Sequence, residues 1–324
     1  MSSPRVVVVG AGHLGSFHLE KMAILQQEGL AQLAGVVDLD PKVGQATAQK
    51  YAIPAAQSIG ELKVEADAAI VATPTVTHLQ IATEALERGW HVLVEKPIAS
   101  TVAEASALVE VAAQHQCLLQ VGHTERFNPA IAAALAVADR PRYLVAERLG
   151  PFSGRSTDID VVLDLMIHDL DIVASLIPSH LVETRAIGVP VLTSEIDMAS
   201  ARLAFADGSV AQLSAGRASL EPSRKIRMFT LERYVSIDCG SQEVKSVRRL
   251  PPLPDSPWPQ IAGEPVEVQP GDALLLQDRD FLRCVSSGAS PRVDGNAGLR
   301  ALRLAEAVKK EMSVPIPEGM APDA

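Results

Sequence analysis

The sequence predicts an α/β protein in which a doubly wound parallel sheet is followed by a second α/β domain with an open, mainly antiparallel sheet. Three observations carry that reading. A β-branched run, Val6 to Val9, ends in the turn Gly10-Ala11-Gly12-His13-Leu14-Gly15, as expected of a strand buried on both faces that feeds a helix. Short apolar runs then alternate with helical segments up to about Gly122, the rhythm of parallel strands joined by right-handed crossovers. Beyond Gly122 the rhythm gives way to strand-like runs separated by turns. The 324 residues suit two domains of roughly 150 residues each, divided at 1–122 and 123–324.

The first strand leads into a helix reaching about Glu28. Further short strands are expected at Leu33 to Val37, Ala68 to Ala72, His91 to Val94 and Leu118 to Val121, with helices over Leu79 to Arg88 and Thr101 to Gln114. In the second half, Pro129 to Ala138 reads as a helix, Tyr143 to Glu147 as a strand, and Val161 to Leu176 as a helix. Strands follow at Ala199 to Phe205, Val210 to Ala215, Ile226 to Leu231 and Tyr234 to Asp238, with Ala206-Asp207-Gly208 as a hairpin turn. Pro251, Pro252, Pro254, Pro257 and Pro259 predict an extended loop. Helical periodicity returns at Ala273 to Val285 and Gly298 to Met312.

A composition of 47% hydrophobic and 21% charged residues is that of a globular chain. No apolar stretch reaches the ~18 residues of a membrane helix, and the opening Met-Ser-Ser-Pro-Arg runs straight into Val6. A cytoplasmic protein without membrane or secretory segments is expected. Cys117, Cys239 and Cys284 stand far apart, which suits reduced structural thiols. A net charge of -10 with only 3% aromatics argues against a nucleic-acid partner. A small anionic ligand remains compatible, because a helix N-terminus acts over a shorter range than salt screening.

The Gly10, Gly12 and Gly15 turn has the context of a dinucleotide-binding loop. Its first glycine makes the turn, the second admits a pyrophosphate, the third lets helix pack on strand, and His13 and Leu14 complete the cofactor turn. Asp38 stands 23 residues after Gly15 at the end of the second strand, where a carboxylate can accept hydrogen bonds from an adenine ribose. It would also repel a 2′-phosphate, so NAD is favoured over NADP. Lys42 is the nearby cation that could soften this preference.

The strand His91 to Val94 leads into Glu95-Lys96-Pro97, and Pro97 restrains Lys96 to an extended backbone. Asp164 and His168 are four residues apart on one helix face, with Asp171 a turn further on. That face could be a solvent stripe, a satisfied core histidine or an oxygen-and-nitrogen metal site, and a lysine in the same pocket would compete with a cation. His13, His18, His78, His91 and His123 lie in motif-rich segments. Most read as packing or loop histidines without a matching acid, and His78 and His123 as pocket residues.

Gly10 to Gly15, Asp38, Ala72-Thr73-Pro74-Thr75-Val76-Thr77-His78, Glu95-Lys96-Pro97 and Asp164-x3-His168 together resemble the Gfo/Idh/MocA family of NAD(P)-dependent oxidoreductases. The likeness extends nearly to the end of the chain, through Pro291 to Glu306. It implies an N-terminal Rossmann domain, a C-terminal substrate-binding and oligomerisation domain, and a homo-dimer or tetramer. It also implies catalytic roles for Lys96, Asp164 and His168, a Thr73-Pro74 loop beside the nicotinamide, and no metal. Cofactor contacts are further expected from His78, Glu95 and Lys96. In the expected chemistry His168 takes the hydroxyl proton of a secondary alcohol, Lys96 hydrogen-bonds the developing alkoxide, and Asp164 orients the hydroxyl or the lysine.

Val121 to Pro129 and Asp160 to Asp171 are similar to the subgroup that oxidises C3 of UDP-N-acetylglucosamine, whose product feeds an aminotransferase. On that likeness His123, Arg126, Asn128 and Arg155 are candidate substrate residues, the arginines because a guanidinium matches phosphate with two donors. Myo-inositol and simple aldoses are the alternative substrates. An NAD-using glycosidase of the same fold and a non-catalytic NAD-binding sensor are the alternative functions.

Overall fold

The computed structural model describes residues 3–138, 140–154 and 159–313. It divides into two compact units, Met1–Phe127 with Asp272–Leu302, and Asn128–Gly271 with Arg303–Ala324.

The first unit is built on strands β1 (Arg5–Val9), β2 (Gln32–Val37), β3 (Ala55–Ala56), β4 (Ala68–Val71), β5 (His91–Glu95) and β6 (Leu119–Gly122), in the order β3-β2-β1-β4-β5-β6. All neighbours are parallel. This is the Rossmann order, and the strand sequence reverses between β1 and β4, so the crevice for a ligand lies beyond their carboxyl ends. Helices α1 (His13–Gln27), α2 (Pro41–Tyr51), α3 (His78–Glu87) and α4 (Val102–Gln114) make the crossovers. Local chemistry starts two of them: Asp40 accepts from Lys42 N–H and precedes Pro41, and Thr101 accepts from Glu104 N–H. The sheet is apolar on both faces, with Val6, Val7, Val8 and Ile70 fully buried.

The second unit contains α5 (Pro129–Val137), β7 (Tyr143–Leu149), a π-helical turn at Val162–Met166 and α6 (Ile167–Leu176). Then come β8 (Leu181–Val189), β9 (Met198–Phe205), β10 (Val210–Gly216), β11 (Ser223–Phe229), β12 (Arg233–Asp238), β13 (Glu243–Pro252) and β14 (Pro259–Glu264). After α7 (Ala273–Ser287) and α8 (Gly295–Lys310), β15 (Met312–Ser313) completes a nine-stranded sheet ordered β14-β13-β12-β11-β7-β10-β9-β8-β15. Most pairs are antiparallel, while β10 runs parallel to β7 and β15 to β8. One sheet face carries the core, with Leu144, Ala146, Ile226, Met228, Val235 and Ile237 packed with Ala130, Ile131, Leu170 and Val173. The alternate positions Tyr143, Ile187, Val189 and Phe229 are exposed.

Three differences from the sequence reading have physical causes. The segment 272–302 belongs to the first unit: Phe281 and Leu282 of α7 join Val6, Val8, Leu19, Met22 and Leu25 in one core cluster. The division falls within α8. The proline-rich segment is not wholly a loop, because β13 and β14 pair up to Pro252 opposite Pro259. Pro259 is tolerated as the first residue of β14, an edge strand, and Pro251 and Pro252 of β13 lie past its last pairing with β12 at Arg248, beside a register shift. The helix expected from Val161 begins instead with the π turn.

Buried polar chemistry holds the entry to that turn. Asp197 accepts from the backbone amides of Val191, Leu192 and Thr193, from Thr193 Oγ1 at 2.8 Å and from Arg217 Nε at 2.7 Å. Burial works against its charge, but Arg217 and the amides hold its carboxyl well below the usual carboxylate range. Arg217 also donates to Ile159 O at 2.9 Å, and Asp160 caps the amides of Val162 and Leu163. Removing one member strands a buried charge, so Asp197→Ala is expected to cost about 3–5 kcal/mol of stability, read from the urea midpoint at unchanged m-value.

Candidate active site

The glycine turn owes its geometry to close contacts that exclude side chains. Gly10 has φ +90°, and a Cβ there would stand 2.6 Å from Ala72 O. A Cβ on Gly15 would collide with the Gly10 carbonyl, whereas Gly12 opens onto free space. Gly12 caps α1 without a side-chain hydrogen bond and no acid occupies the first turn. The helix thus presents open amides and a partial positive charge to an anion.

Asp38, at the end of β2, turns toward this loop. Its Oδ2 accepts from Ala11 N–H at 2.7 Å and its Oδ1 from Asp40 N–H at 2.9 Å. Beside it lies a cleft of about 470 Å³, lined by Gly10, Gly12, Asp38, Leu39, Gln57, Ile59, Thr73, Pro74, Thr77, Ile81 and Glu84 among others. Apolar walls at Leu39, Ile59 and Ile81 suit a base, and the lining holds two carboxylates, Asp38 and Glu84, and no cation. Open amides for a pyrophosphate, a carboxylate for a ribose and a wall without arginine fit NAD.

The Thr73-Pro74 loop is braced from below. Thr77 Oγ1 lies 2.7 Å from Pro74 O and 2.8 Å from Thr73 Oγ1. His78 is buried, with Nε2 2.9 Å from Thr73 O and Nδ1 2.8 Å from Pro97 O. It stands between the loop after β4 and the one after β5 and, as a neutral imidazole with one N–H, donates to one of these two carbonyls; burial holds its pKa below the ordinary histidine value. Lys96 follows β5 and is half-buried.

Glu95 has a different neighbourhood from a cofactor surface. It is buried, 3.1 Å from Nε2 of His18, whose Nδ1 is 3.0 Å from both oxygens of Asp278. His18 therefore has the acid partners that the sequence did not reveal, and they come from β5 and α7. Burial alone would depress its pKa, but the Asp278 charge and the hydrogen bonds to Asp278 and Glu95 push it up to about 10. Burial raises the pKa of Asp278 despite His18, while His18 overcomes burial to lower that of Glu95.

Beyond β6, buried His123 precedes a short 3-10 turn, Thr124–Phe127, that carries Arg126, and Arg292 Nη1 donates to Arg126 O. The remaining sequence candidates stand in the second unit. Asn128 caps α5, accepting from Ala130 N–H and donating to Cys239 O at 3.0 Å. Asp164 lies within the π turn and His168 in the first turn of α6, both half-buried. Arg148 forms a buried two-point ion pair with Asp169, and Asp171 is buried rather than on a solvent stripe. Arg155 lies outside the described residues. Among those residues no helix is long and apolar enough to cross a membrane.

A 3-2-1-4-5-6 parallel sheet with this turn, acid and cleft defines a dehydrogenase that binds a nicotinamide dinucleotide. Residues 4–123 match the model of an oxidoreductase family with an NAD-binding Rossmann fold. The chain is 38% identical to the UDP-N-acetylglucosamine 3-dehydrogenase of Acidithiobacillus ferrooxidans, over 94% of this chain and 96% of that one. The solved structure of that enzyme, GnnA, superposes with a TM-score of 0.88, covering 96% and 98% of the two chains. A myo-inositol dehydrogenase of Streptomyces leeuwenhoekii, Hyg17, is 31% identical over 65% of this chain and 69% of its own. The chain belongs to the Gfo/Idh/MocA family of NAD-dependent oxidoreductases.

Asp38→Ala removes the acceptor for the ribose hydroxyls. It is expected to weaken NAD binding about 10- to 100-fold, the value of hydrogen bonds to a charged group, and to narrow the gap between NAD and NADP. Fluorescence titration with both reduced cofactors checks this.

Proposed function

We propose that the chain oxidises a secondary alcohol of a nucleotide sugar, C3 of UDP-N-acetylglucosamine. The observation that carries this reading is the 38% identity to a UDP-N-acetylglucosamine 3-dehydrogenase along 94% of the chain, with Glu95-Lys96-Pro97 and Asp164-x3-His168 in place. Bound NAD supplies the acceptor for the hydride that leaves carbon.

The protein's own groups manage the oxygen. His168 takes the hydroxyl proton on its imidazole as general base. Lys96 donates a hydrogen bond to the oxygen as negative charge develops there, and Asp164 orients the hydroxyl or the lysine. Thr73 and Pro74 shape the cofactor end and His78 braces their loop, whereas Glu95 faces His18. His123, Arg126 and Arg155 are assigned to the substrate, and Asn128, whose amide serves the α5 cap and Cys239 O, supports the fold instead. The guanidiniums suit a diphosphate. A 3-keto product is a substrate for an aminotransferase, whose consumption of it pulls an unfavourable oxidation forward.

Purified protein with NAD, UDP-N-acetylglucosamine, an aminotransferase and glutamate is expected to form NADH, while myo-inositol and aldoses do not substitute. His168→Ala should lower kcat about 10²- to 10⁴-fold and Lys96→Ala about 10²- to 10³-fold. Turnover of myo-inositol alone would reject the nucleotide sugar, and unchanged rates in both variants would reject the mechanism.

The exposed face of the nine-stranded sheet, where Tyr143, Ile187, Val189 and Phe229 stand among Arg185, Arg202 and Arg227, is assigned to a homo-oligomer, because exposed large apolar side chains set among polar ones on a sheet face suit a self-association surface. Light scattering is expected to give a dimer or tetramer, and Phe229→Glu a smaller species. A wild-type monomer at micromolar concentration would remove this assignment.

A further inference from the structure

The buried charges behind Glu95 have no place in the chemistry so far. Three elements of the first unit meet there: His18 from α1, Glu95 from the end of β5, and Asp278 with Gln277 from α7. His18 and Asp278 are fully buried and Glu95 is 4% exposed. The contacts form a chain. Asp278 holds His18 Nδ1 at 3.0 Å, His18 Nε2 holds Glu95 Oε1 at 3.1 Å, and Glu95 Oε2 accepts the backbone N–H of Lys96 at 3.2 Å. Gln277 Nε2 adds a longer contact to Glu95 Oε1 at 3.5 Å. Space for this carboxylate is reserved opposite, because a Cβ on Gly122 would collide with it.

Carboxylates only accept, so both ring nitrogens of His18 must carry protons for both contacts to be hydrogen bonds. A neutral imidazole would release either Glu95 or Asp278, and the freed carboxylate would be left buried without its donor, which is costly. The second ring proton therefore decides whether the Glu95 carboxylate is pinned, and Glu95 in turn holds the Lys96 amide. Among the other groups that face the cluster, Lys21 of α1, whose charge reaches Asp278, is committed to Asp272 at 2.8 Å, while buried His78 of α3 and Lys96 face Glu95.

We propose that His18 and Asp278 are positioning residues for Lys96, with Asp278 keeping His18 doubly protonated so that Glu95 fixes the Lys96 backbone. The proposal rests on Lys96 taking part in the reaction only for its effect on rate; the coupling itself is a property of the folded protein. The elevated pKa of His18 is what such an arrangement requires, since the pin then stays in place across physiological pH.

The test is a pH titration of the full-length protein by nitrogen-15 NMR. It follows the His18 ring nitrogens and the Lys96 amide proton, and is paired with kcat for UDP-N-acetylglucosamine and fluorescence binding of NADH. In the wild type the Lys96 amide is expected to move only where the His18 ring titrates, on the alkaline side. Asp278→Asn keeps the shape and an acceptor but removes the charge. It should bring both transitions, and the alkaline fall of kcat, down together by about one pH unit or more, with NADH affinity unchanged within twofold. His18→Gln should show a displaced Lys96 amide at every pH and no transition.

A wild-type His18 neutral at pH 7, or a Lys96 amide indifferent to its titration, would overturn the proposal. So would an Asp278→Asn variant whose kcat falls without any change in pH dependence. If Lys96→Ala retains activity while the two NMR transitions still coincide, it is the catalytic role of Lys96 that fails and not the coupling.

Discussion

The constraint on which the cofactor end of the molecule depends is the absence of side chains at Gly10 and Gly15. The Gly10 carbonyl lies against the start of α1, and the backbone of Ala72 crowds the other side of Gly10. The end of β1, the start of α1 and the loop after β4 are thereby locked within van der Waals contact. Everything else at this end is placed relative to that lock. Asp38 reaches the Ala11 amide, Thr73 and Pro74 wall the cleft, and the unprotected amides of α1 face outward from Gly12. The lock makes a phosphate site from backbone alone, whose charge is fixed by peptide geometry and insensitive to pH.

Much of the first unit was legible because its signals are local. A β-branched run before a glycine turn, and an acid at the end of the next strand, are read along the chain without knowing what packs where. Strands β4, β5 and β6 likewise announce themselves as short apolar runs. The His18 partnership was not legible, since Asp278 stands 260 residues away and an aspartate inside an amphipathic helix normally reads as its solvent face. What sequence offered was only that His18 follows Gly15 at helical spacing together with Leu19, Met22 and Leu25 on the buried side of α1. That stripe identifies a buried histidine and leaves its acids unspecified. Helix α7 was found as a helix, but the sheet it covers is a tertiary fact that periodicity does not encode.

The second unit taught a different lesson. Asp164 and His168 were expected one turn apart on a regular helix, and the backbone instead widens into a π turn between Val162 and Met166. No residue there is a glycine or proline that would have announced it. The widening is sustained by its surroundings, with Asp160 capping the first amides and Arg217 holding Ile159. Such turns are frequent where side chains serve a function, which agrees with the roles proposed for Asp164 and His168. The prolines of β13 and β14 show the same principle in a sheet: their meaning depended on an edge that only the assembled strands reveal.

The first unit is also discontinuous, and this has a consequence for how the chain comes into being. As the protein is synthesised, β1 to β6 emerge long before α7, so an early sheet has its glycine lock but lacks the helix that covers Leu19, Met22 and Leu25. It also holds Glu95 and His18 without Asp278. The whole of the second unit's sheet up to β14 is made in the interval. Completion of the dinucleotide fold is therefore deferred until about residue 302 has left the ribosome, and a chain interrupted earlier carries a half-finished Rossmann core with an uncovered apolar flank. Only a chain synthesised past α7 can bury that flank.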